Sequence, residues 1–474
     1  MRPLLVIGAV AAALGLGACT LGPDYRQPDL KHSEQWHGET HTDLSLQSTG
    51  EGDWWQQFND PLLSGLIDQG LRNNRDLAIA LANVERARAL RAVAAGGYFP
   101  TLDAQADASR SRYSRQTDFG TNIGTRNSFS TGLDASWELD LFGRTRRSVE
   151  SSDAQIEASE AFRRGVRLSM ITEIAANYFE VRGLQRQVAM TRLDIALLKE
   201  VEEIAHAKAE GGIVTELDVA RAQGERETFE ASLPNLEAEI AVRIYRISVL
   251  TGQAPEYHAN AIAVTQAMPL QADRVPVGLR SDILKRRPDV QQAERELAAA
   301  TAGIGIARAD MFPDFSLTGA AGTSARVFSD LFTPGTLTSS IGGALGWPVF
   351  AGGSLSARVD AAEAEARAAL ASYEQTVLLA LEDAEGSLMR YGKEWQTLKR
   401  LRAAEATRKE GFEIAKLRYE AGEDDFLVML DAERALIATR NDLISSETKI
   451  LTNLTQLYKA LGGGWESGTG EVIN

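Results

Sequence analysis

Side chains that carry most enzymatic and metal chemistry are scarce in this sequence, which has five histidines and one cysteine among 474 residues. Three of the histidines, His32, His37 and His41, lie at loose spacing near the N-terminus. No second group of ligands fixes a geometry for a metal, so a solvated linker is the better interpretation. The sequence has no glycine-rich phosphate loop and no paired-histidine helix motif. We therefore expect no catalytic residue, metal site, cofactor or enzymatic activity.

The single cysteine, Cys19, has a different setting. Residues 1–18 begin with a positive charge and continue into a short apolar core, which is typical of a signal peptide. The four residues ending at Cys19 (LGAC) resemble a bacterial lipobox, in which the cysteine becomes lipidated and N-terminal after cleavage. Thr20 follows instead of aspartate, which in lipoproteins favours export to the outer membrane. The alternative is a buried free cysteine after an ordinary signal peptide.

Two stretches alternate strictly between apolar and polar positions. In Ser128–Arg144 (SFSTGLDASWELDLFGR) every second residue from Phe129 to Leu141 is apolar, with Thr131 the exception, and the residues between them are small or acidic. Period-2 alternation predicts a strand with one apolar and one wet face. A matching strand, Thr101–Arg112, precedes it. The acidic side chains on the wet face of the later strand are Asp134, Glu138 and Asp140.

The length of these strands favours a membrane. The later one covers about 13 residues, whereas strands of soluble proteins usually have about 5 or 6. Tilted by about 45°, such a strand crosses a hydrocarbon layer of about 30 Å. We predict a transmembrane β-hairpin over residues 100–142, with Trp137 and Leu139 facing lipid and the three acidic side chains facing a wet lumen. A long hairpin in a soluble sandwich is the alternative.

The sequence repeats at a spacing of 210 residues. Trp137 recurs as Trp347, Gly212 as Gly422 and Gly252 as Gly462. Such self-similarity predicts an internal duplication. The predicted parts are an N-terminal extended segment (19–60), a first repeat (61–252), a second repeat (271–462) and a C-terminal tail (463–474). The second hairpin then covers residues 313–350.

Each repeat is predicted to contain a helix, the hairpin, a long helix and a return helix. In the first repeat a helix begins at Pro61 after an N-cap aspartate, and the long helix (143–210) turns at Gly211–Gly212 into a return helix (214–250). Pro234 predicts a kink in that return helix. In the second repeat a helix from Pro288 precedes the hairpin, and the long helix (352–420) turns at Gly422 into a return helix (424–461). Each long helix would extend about 100 Å at 1.5 Å per residue.

The long helices carry apolar residues seven apart, which is a coiled-coil pattern. A coiled-coil or adhesin lipoprotein shares that pattern, but it does not need acidic alternation at membrane-spanning length. Four strands cannot close a barrel, and unpaired strand edges in lipid are costly, so several protomers must share one. Twelve or more strands leave an aqueous channel. The net charge of −15 argues against a nucleic-acid partner.

Short motifs spread over the whole mature chain agree with one family. They are CTLGPDY from Cys19, Trp54–Trp55 with Phe58, Asp60–Pro61, Asn74 with Asp76–Leu77, Tyr98–Pro100, WELDLFG from Trp137, Arg286–Asp289 and Leu430–Ala432. Each motif is weak alone, but their order and spacing are specific. Together they resemble the TolC-like outer-membrane efflux channels, in particular the OprM-type and NodT-type lipoproteins.

The resemblance implies a mainly α-helical fold with a membrane β-barrel. Three protomers would form a twelve-stranded barrel in the outer membrane of a Gram-negative bacterium and an α-barrel tunnel of long antiparallel helical hairpins in the periplasm. The implied function is a passive conduit for small molecules in a tripartite efflux system. The implied partners are two further copies of the chain, outer-membrane lipid, a periplasmic adaptor protein and an inner-membrane pump. The adaptor would dock at the hairpin tips, Gly211, Gly212 and Gly422.

The resemblance also implies a periplasmic gate on the second return helix. Leu427, Asp431 and Arg434 fall at i, i+4 and i+7, which is one helical face. Three Asp431 carboxylates around a threefold axis would repel one another unless Arg434 or a bridging cation offsets the charge. Leu427 would supply an apolar constriction. The alternative is a surface helix face with an ordinary Asp–Arg pair.

The lipobox predicts a specific covalent product. Mass spectrometry of the mature N-terminus should find diacylglycerol on Cys19. We expect Cys19→Ala to weaken membrane anchoring more than channel formation, because a barrel makes its own lipid contacts. An unmodified mature chain that begins at another residue would contradict the prediction.

Overall fold

The computed structural model describes residues 20–29, 36–37, 44–45, 53–113, 124–265, 268–270, 275–276 and 286–463. The helices and strands of this part of the chain are, in order, β1 (Leu44–Ser45), α1 (Pro61–Asn73), α2 (Arg75–Gly96), β2 (Thr101–Tyr113), β3 (Gly124–Leu139), α3 (Arg144–Glu210), α4 (Glu216–Leu250), α5 (Ala259–Ile262), β4 (Val275–Pro276), α6 (Pro288–Ala309), β5 (Asp314–Ala325), β6 (Leu337–Gly346), α7 (Ser354–Ala421) and α8 (Phe426–Ala460). The prediction of a mainly helical fold, with long helical hairpins and four long strands in each protomer, is confirmed. The order helix, two strands, long helix, return helix occurs twice, as α2 to α4 and α6 to α8.

The chain divides into two compact units. The sheet unit contains the described residues of 20–29, 83–160 and 292–374. The helical unit contains the described residues of 30–82, 161–291 and 375–463. A short parallel pair, β1 with β4, belongs to the helical unit.

The sheet unit is built on four antiparallel strands in the order β2-β3-β5-β6. Directly opposite residues share a face, so the register shows which side chains lie together. One face is apolar and carries Leu102, Ala104, Leu133, Ala135, Trp137, Leu317, Ile341 and Leu345. The other face is polar or small and carries Asp103, Gln105, Asp134, Glu138, Ser316, Thr338 and Ser340. The alternation in the sequence therefore corresponds to an apolar face and a polar face of the sheet, as predicted.

The ends of the strands differ from the prediction. Strand β3 ends at Leu139, so the placement of Asp140 on the strand is wrong. The Asp140 carboxylate instead accepts hydrogen bonds from the backbone N–H groups of Thr145 (3.1 Å) and Arg146 (3.0 Å) in the first turn of α3. Those N–H groups have no partner within the helix, which is why an acidic side chain is favourable here. Strand β6 likewise ends at Gly346, before Trp347.

The two repeated tryptophans make the same contact. Trp137 Nε1 donates to the carbonyl of Tyr98 (3.1 Å), just after α2. Trp347 Nε1 donates to the carbonyl of Met311 (3.2 Å), just after α6. Each indole therefore satisfies a backbone carbonyl where a helix passes into the sheet. This shared contact supports the proposed duplication.

The first helix is not continuous. The sequence predicts one helix between Pro61 and the first hairpin, but Asn74 is extended (ψ 132°) and separates α1 from α2. Its side chain donates to the carbonyl of Leu250 (2.8 Å) and accepts from the N–H of Leu77 (3.0 Å). Asn74 thus joins the end of α4 to the start of α2, a tertiary role that helical periodicity does not indicate.

The long helices match the predicted spans closely. Helix α3 has 67 residues and α7 has 68. Helix α4 continues through Pro234 as a single assigned helix. Among the described helices, none combines the length and apolarity that crossing a membrane requires.

A buried polar network joins several elements of the helical unit. Arg182 is 1% exposed and donates to the carbonyls of Ile262 (3.2 Å) and Val264 (2.6 Å) and to the hydroxyl of Tyr178 (3.0 Å). Tyr178 in turn donates to the Asp60 carboxylate at the start of α1. Burial and the Asp60 hydrogen bond both raise the pKa of Tyr178. The network therefore remains intact across neutral pH.

Removing Arg182 should be strongly destabilising. Arg182→Met leaves the Tyr178–Asp60 pair buried without its cation and removes the hydrogen bonds to the carbonyls of Ile262 and Val264, so we expect a loss of about 3–5 kcal/mol. Arg192→Met, on the same helix, breaks an exposed pair with Glu237 and should cost at most about 1 kcal/mol. Thermal unfolding followed by circular dichroism compares the two variants. Equal melting temperatures would contradict the assigned role of Arg182.

Candidate functional site

Four helix ends meet in one apolar cluster of the helical unit, which we call the tip cluster. The ends are those of α3 and α7 and the beginnings of α4 and α8. The buried members of the tip cluster are Val201, Ala205, Val219, Ala222, Phe412, Tyr419, Phe426, Met429, Leu430 and Leu436. Because side chains of all four helices pack in this cluster, a change in packing at one helix end displaces the other three.

The two tip turns have the same backbone hydrogen bonds. In the first, Ile213 N–H donates to Lys208 and Gly212 N–H to Ala209 (both 2.9 Å). In the second, Glu423 donates to Arg418 (2.9 Å) and Gly422 to Tyr419 (3.1 Å). This is the Schellman motif, which needs a left-handed residue, and both Gly212 (φ 71°) and Gly422 (φ 78°) supply it. Gly211 lies just before this position.

Lys208 links the two turns. Its ammonium group donates to the backbone carbonyls of Tyr419 and Glu420 (3.4 Å for the latter) at the end of α7. It also lies 4.0 Å from the centre of the Tyr419 ring. A cation at a helix C-terminus is electrostatically favourable, so Lys208 stabilises α7 while holding it to α3.

The predicted gate residues share one exposed face of α8. Leu427 is 44% exposed, and Asp431 and Arg434 are exposed as well. Arg434 Nη2 donates to the carboxylate of Glu225 on α4, not to Asp431. The alternative of an ordinary Asp431–Arg434 pair is therefore wrong, because the nearest acceptor for the guanidinium comes from another helix. Asp431 makes no hydrogen bond to another described residue.

The opposite face of α8 contains a residue that sequence reasoning missed. Glu433 is 0% exposed, and neither carboxylate oxygen has a hydrogen-bond partner in the part of the chain that the structure describes. Burial, followed by the nearby Asp194 and Glu225 carboxylates, raises the pKa of Glu433 to about 7. The signal was present in the sequence. Phe426, Met429, Leu430, Glu433, Leu436 and Ile437 follow helical periodicity, so Glu433 occupies an apolar position.

The polar face of the sheet holds most of the other predicted acidic residues. Asp134 lies directly opposite Asp103 on β2, a like-charged pair that is unfavourable in a dry setting. Glu138 lies 3.6 Å from Arg144, which also pairs with Asp310 (3.1 Å). These charges are suited to contact with water and mobile ions.

The segment after Cys19 is held firmly in the sheet unit. Cys19 itself lies outside the described residues. Arg147 is buried and donates to the carbonyls of Leu21 (3.0 Å) and Gly22 (3.2 Å) and to the Asp24 carboxylate (2.8 Å). Thr20 lies against Gly143, because a Cβ atom added to Gly143 would be only 3.1 Å from the Cα of Thr20. The residue next to Cys19 is thus fixed just beyond the end of β3.

The histidine prediction is tested only in part. His32 and His41 lie outside the described residues, and the backbone N–H of His37 donates to Glu385 (3.1 Å). In the part of the chain that the structure describes, no group of three or more potential ligand side chains is arranged to hold a metal ion.

The chain is similar to known proteins over nearly its full length. A family model described as outer membrane efflux protein matches residues 66–253 and 279–463. The solvent efflux pump outer membrane protein SrpC of Pseudomonas putida is 33% identical over 461 residues, which cover 96% of this chain and 97% of that protein.

Solved structures agree with this. The outer-membrane channel OprN is 37% identical, with a TM-score of 0.90 over 94% of this chain and 100% of that one. The CmeC outer membrane channel of Campylobacter jejuni is 25% identical, with a TM-score of 0.87 over 94% of this chain and 95% of that one. The two matched segments of the family model also agree with the proposed duplication.

Proposed function

We infer the function of this chain from the family to which it belongs, the outer membrane efflux proteins. It is the outer-membrane component of an efflux system, a passive channel through which a pump exports small molecules. The observation that carries this proposal is the similarity to solved outer-membrane channels over 94% of the chain. A channel needs no catalytic group, so the chain acts by conduction and not as an enzyme.

The sheet supports a shared barrel. Strands β2 and β6 are its edges, and its apolar face includes Leu102, 67% exposed, and Ile341, 92% exposed. In lipid, each unpaired backbone group of an edge strand costs several kcal/mol. Three protomers with four strands each would pair every edge, place the apolar face against lipid and enclose the acidic face around water.

Lipidation of Cys19 anchors the protein in the outer membrane of a Gram-negative bacterium. The support is positional, since Thr20 packs beside Gly143, just beyond the strand end at Leu139. An acyl chain on the preceding residue would start close to the end of a membrane-spanning strand. The acyl chain and the barrel strands would then contact the membrane at the same end of the sheet.

The tip cluster is the end that meets the periplasmic adaptor and closes the channel. The turns at Gly211–Gly212 and Gly422 are exposed and identical in backbone form, which suits docking of repeated adaptor segments. Leu427, Asp431 and Arg434 line the closed entrance from α8. Opening requires α8 to move relative to α4, and the Arg434–Glu225 pair opposes that movement.

Reconstitution in planar bilayers tests the channel and its barrel together. The wild-type protein should give stepwise single-channel conductance. Leu133→Arg places a charge on the lipid face, at a cost of about 2–4 kcal/mol near the bilayer midplane, and should reduce the assembled trimer. Asp134→Arg, the neighbouring position on the lumen face, should assemble and change ion selectivity. No conductance from correctly inserted wild-type protein would overturn the proposal, and equal assembly defects would overturn the assignment of faces.

Leu427→Ala tests the gate. Removing the apolar constriction should raise the resting conductance without a pump, and Arg434→Ala should do the same by freeing α8 from Glu225. Leu217→Ala is the matched control, because Leu217 lies 210 residues earlier at the same place after the first turn and is also exposed. Unchanged conductance in both α8 variants would show that closure lies elsewhere.

A further inference from the structure

We propose that protonation of Glu433 controls the packing of the tip cluster, and we call this residue the latch. The four helix ends pack together while Glu433 is protonated, and this packing loosens when Glu433 loses its proton. The proposal rests on the proposed function in one respect, since it takes the tip to be the closed end of a channel. The latch itself is a property of the packing and can be tested without any channel activity.

The surroundings of Glu433 have no place for a charge. The side chain is fully buried on the face of α8 that contributes Met429, Leu430 and Leu436 to the tip cluster. Both carboxylate oxygens lack a hydrogen-bond partner among the described residues. An ionised carboxylate in such a place loses its hydration and gains no compensating bond. The neutral acid is therefore the form that fits the closed packing.

Every helix of the tip presents a charged group to Glu433. Helix α3 contributes Asp194, α4 contributes Glu225, α7 contributes Lys416, and α8 contributes Arg434. The two carboxylates disfavour ionisation of Glu433, and the two cations favour it. Whether Glu433 is ionised therefore depends on its burial and on which acidic groups Lys416 and Arg434 are paired with.

Both cations are committed to other acids. Lys416 Nζ lies 3.0 Å from Glu200, and Arg434 is paired with Glu225. Asp194 is itself buried, and Arg440 lies 3.5 Å from it and 3.4 Å from Glu405. None of these pairs neutralises Glu433, so its ionisation adds an uncompensated negative charge to the interior.

The direction of the pH effect follows from this. Burial raises the pKa of Glu433 from its ordinary value of 4.5 to about 7 in the packed tip. In a loosened tip, where water reaches the carboxyl, the ordinary value returns. The packed form therefore binds the proton more tightly, and it is progressively destabilised as the pH rises from about 4.5 to about 7. Above that range the destabilisation is complete and constant.

The latch is connected to the gate through one helix. Glu433 and the gate face, with Leu427, Asp431 and Arg434, lie on different sides of α8, within two turns of one another. A loss of packing on the buried side releases α8, and the exposed side moves with it. Acidic surroundings would thus hold the entrance closed, and neutral to alkaline surroundings would lower the free energy of opening.

Amide hydrogen exchange on the full-length protein in detergent tests the latch. Protection factors, which are corrected for the intrinsic pH dependence of exchange, are measured for residues 194–210, 412–421 and 426–440. Between about pH 5.5 and about pH 7.5, one-site linkage predicts a fall on the order of 20-fold for the wild type. Glu433→Gln, and Glu433→Met as a second neutral variant, should show no such fall.

Two controls separate the latch from other carboxylates. Glu410→Gln removes an exposed carboxylate of α7 and should keep the wild-type pH dependence. Asp431→Asn neutralises the gate face and should also keep it. A pH dependence that persists in both Glu433 variants, or that disappears only in Asp431→Asn, would overturn the latch.

Conductance in planar bilayers over the same pH range gives a second measurement. Wild-type open events should become more frequent as the pH rises, and those of Glu433→Gln should not. If the exchange result holds but no conductance is seen at any pH, the latch stands and the proposed function fails. If conductance is seen but the tip protection does not depend on Glu433, the proposed function stands and the latch fails.

Discussion

Among the residues that the structure describes, no helix or second sheet covers the apolar face of the four-stranded sheet, and much of the structure follows from that. A soluble sheet would cover such a face with helices or a second sheet, because exposed apolar surface is unfavourable in water. Here Leu102, Leu337 and Ile341 stay exposed. In the proposed barrel, lipid would cover this face and strands of further copies would pair with the sheet edges. The length of its strands and their alternation both reflect this one constraint.

Backbone groups would otherwise be left unsatisfied where strands and helices meet, and in three such places a specific side chain bonds them. Asp140 accepts from the first N–H groups of α3, and the indoles of Trp137 and Trp347 donate to carbonyls just beyond α2 and α6. The Asp140 contact is local, whereas the two indole contacts join the end of each hairpin to the helix before it, 39 and 36 residues earlier. They explain why a tryptophan recurs at this place in both repeats, where a lipid-facing position alone would accept any large apolar residue.

The sequence predicted the features that depend on local pattern. Alternation identified the faces of β2 and β3, and glycine at Gly212 and Gly422 identified the turns. The interruption at Asn74 escaped because it depends on the carbonyl of Leu250, 176 residues away. The partner of Arg434 escaped for the same reason, since Glu225 is 209 residues distant. Glu433 differs, because its place in the apolar periodicity of α8 indicates burial from the sequence alone.

The two tip turns are alike in backbone but not in chemistry. Leu217 and Leu427 correspond, yet Arg221, Gln223 and Gly224 stand where the second repeat has Asp431, Glu433 and Arg434. In a trimer the backbone of the tip would therefore approach sixfold symmetry, while its charges would have only threefold symmetry. A partner that binds the backbone of the turns would find six equivalent sites in the trimer, whereas one that responds to charge or protonation would find three. Recognition and control can thus be assigned to different symmetries of one ring, and a change in the second repeat can alter control without disturbing the shape that is recognised.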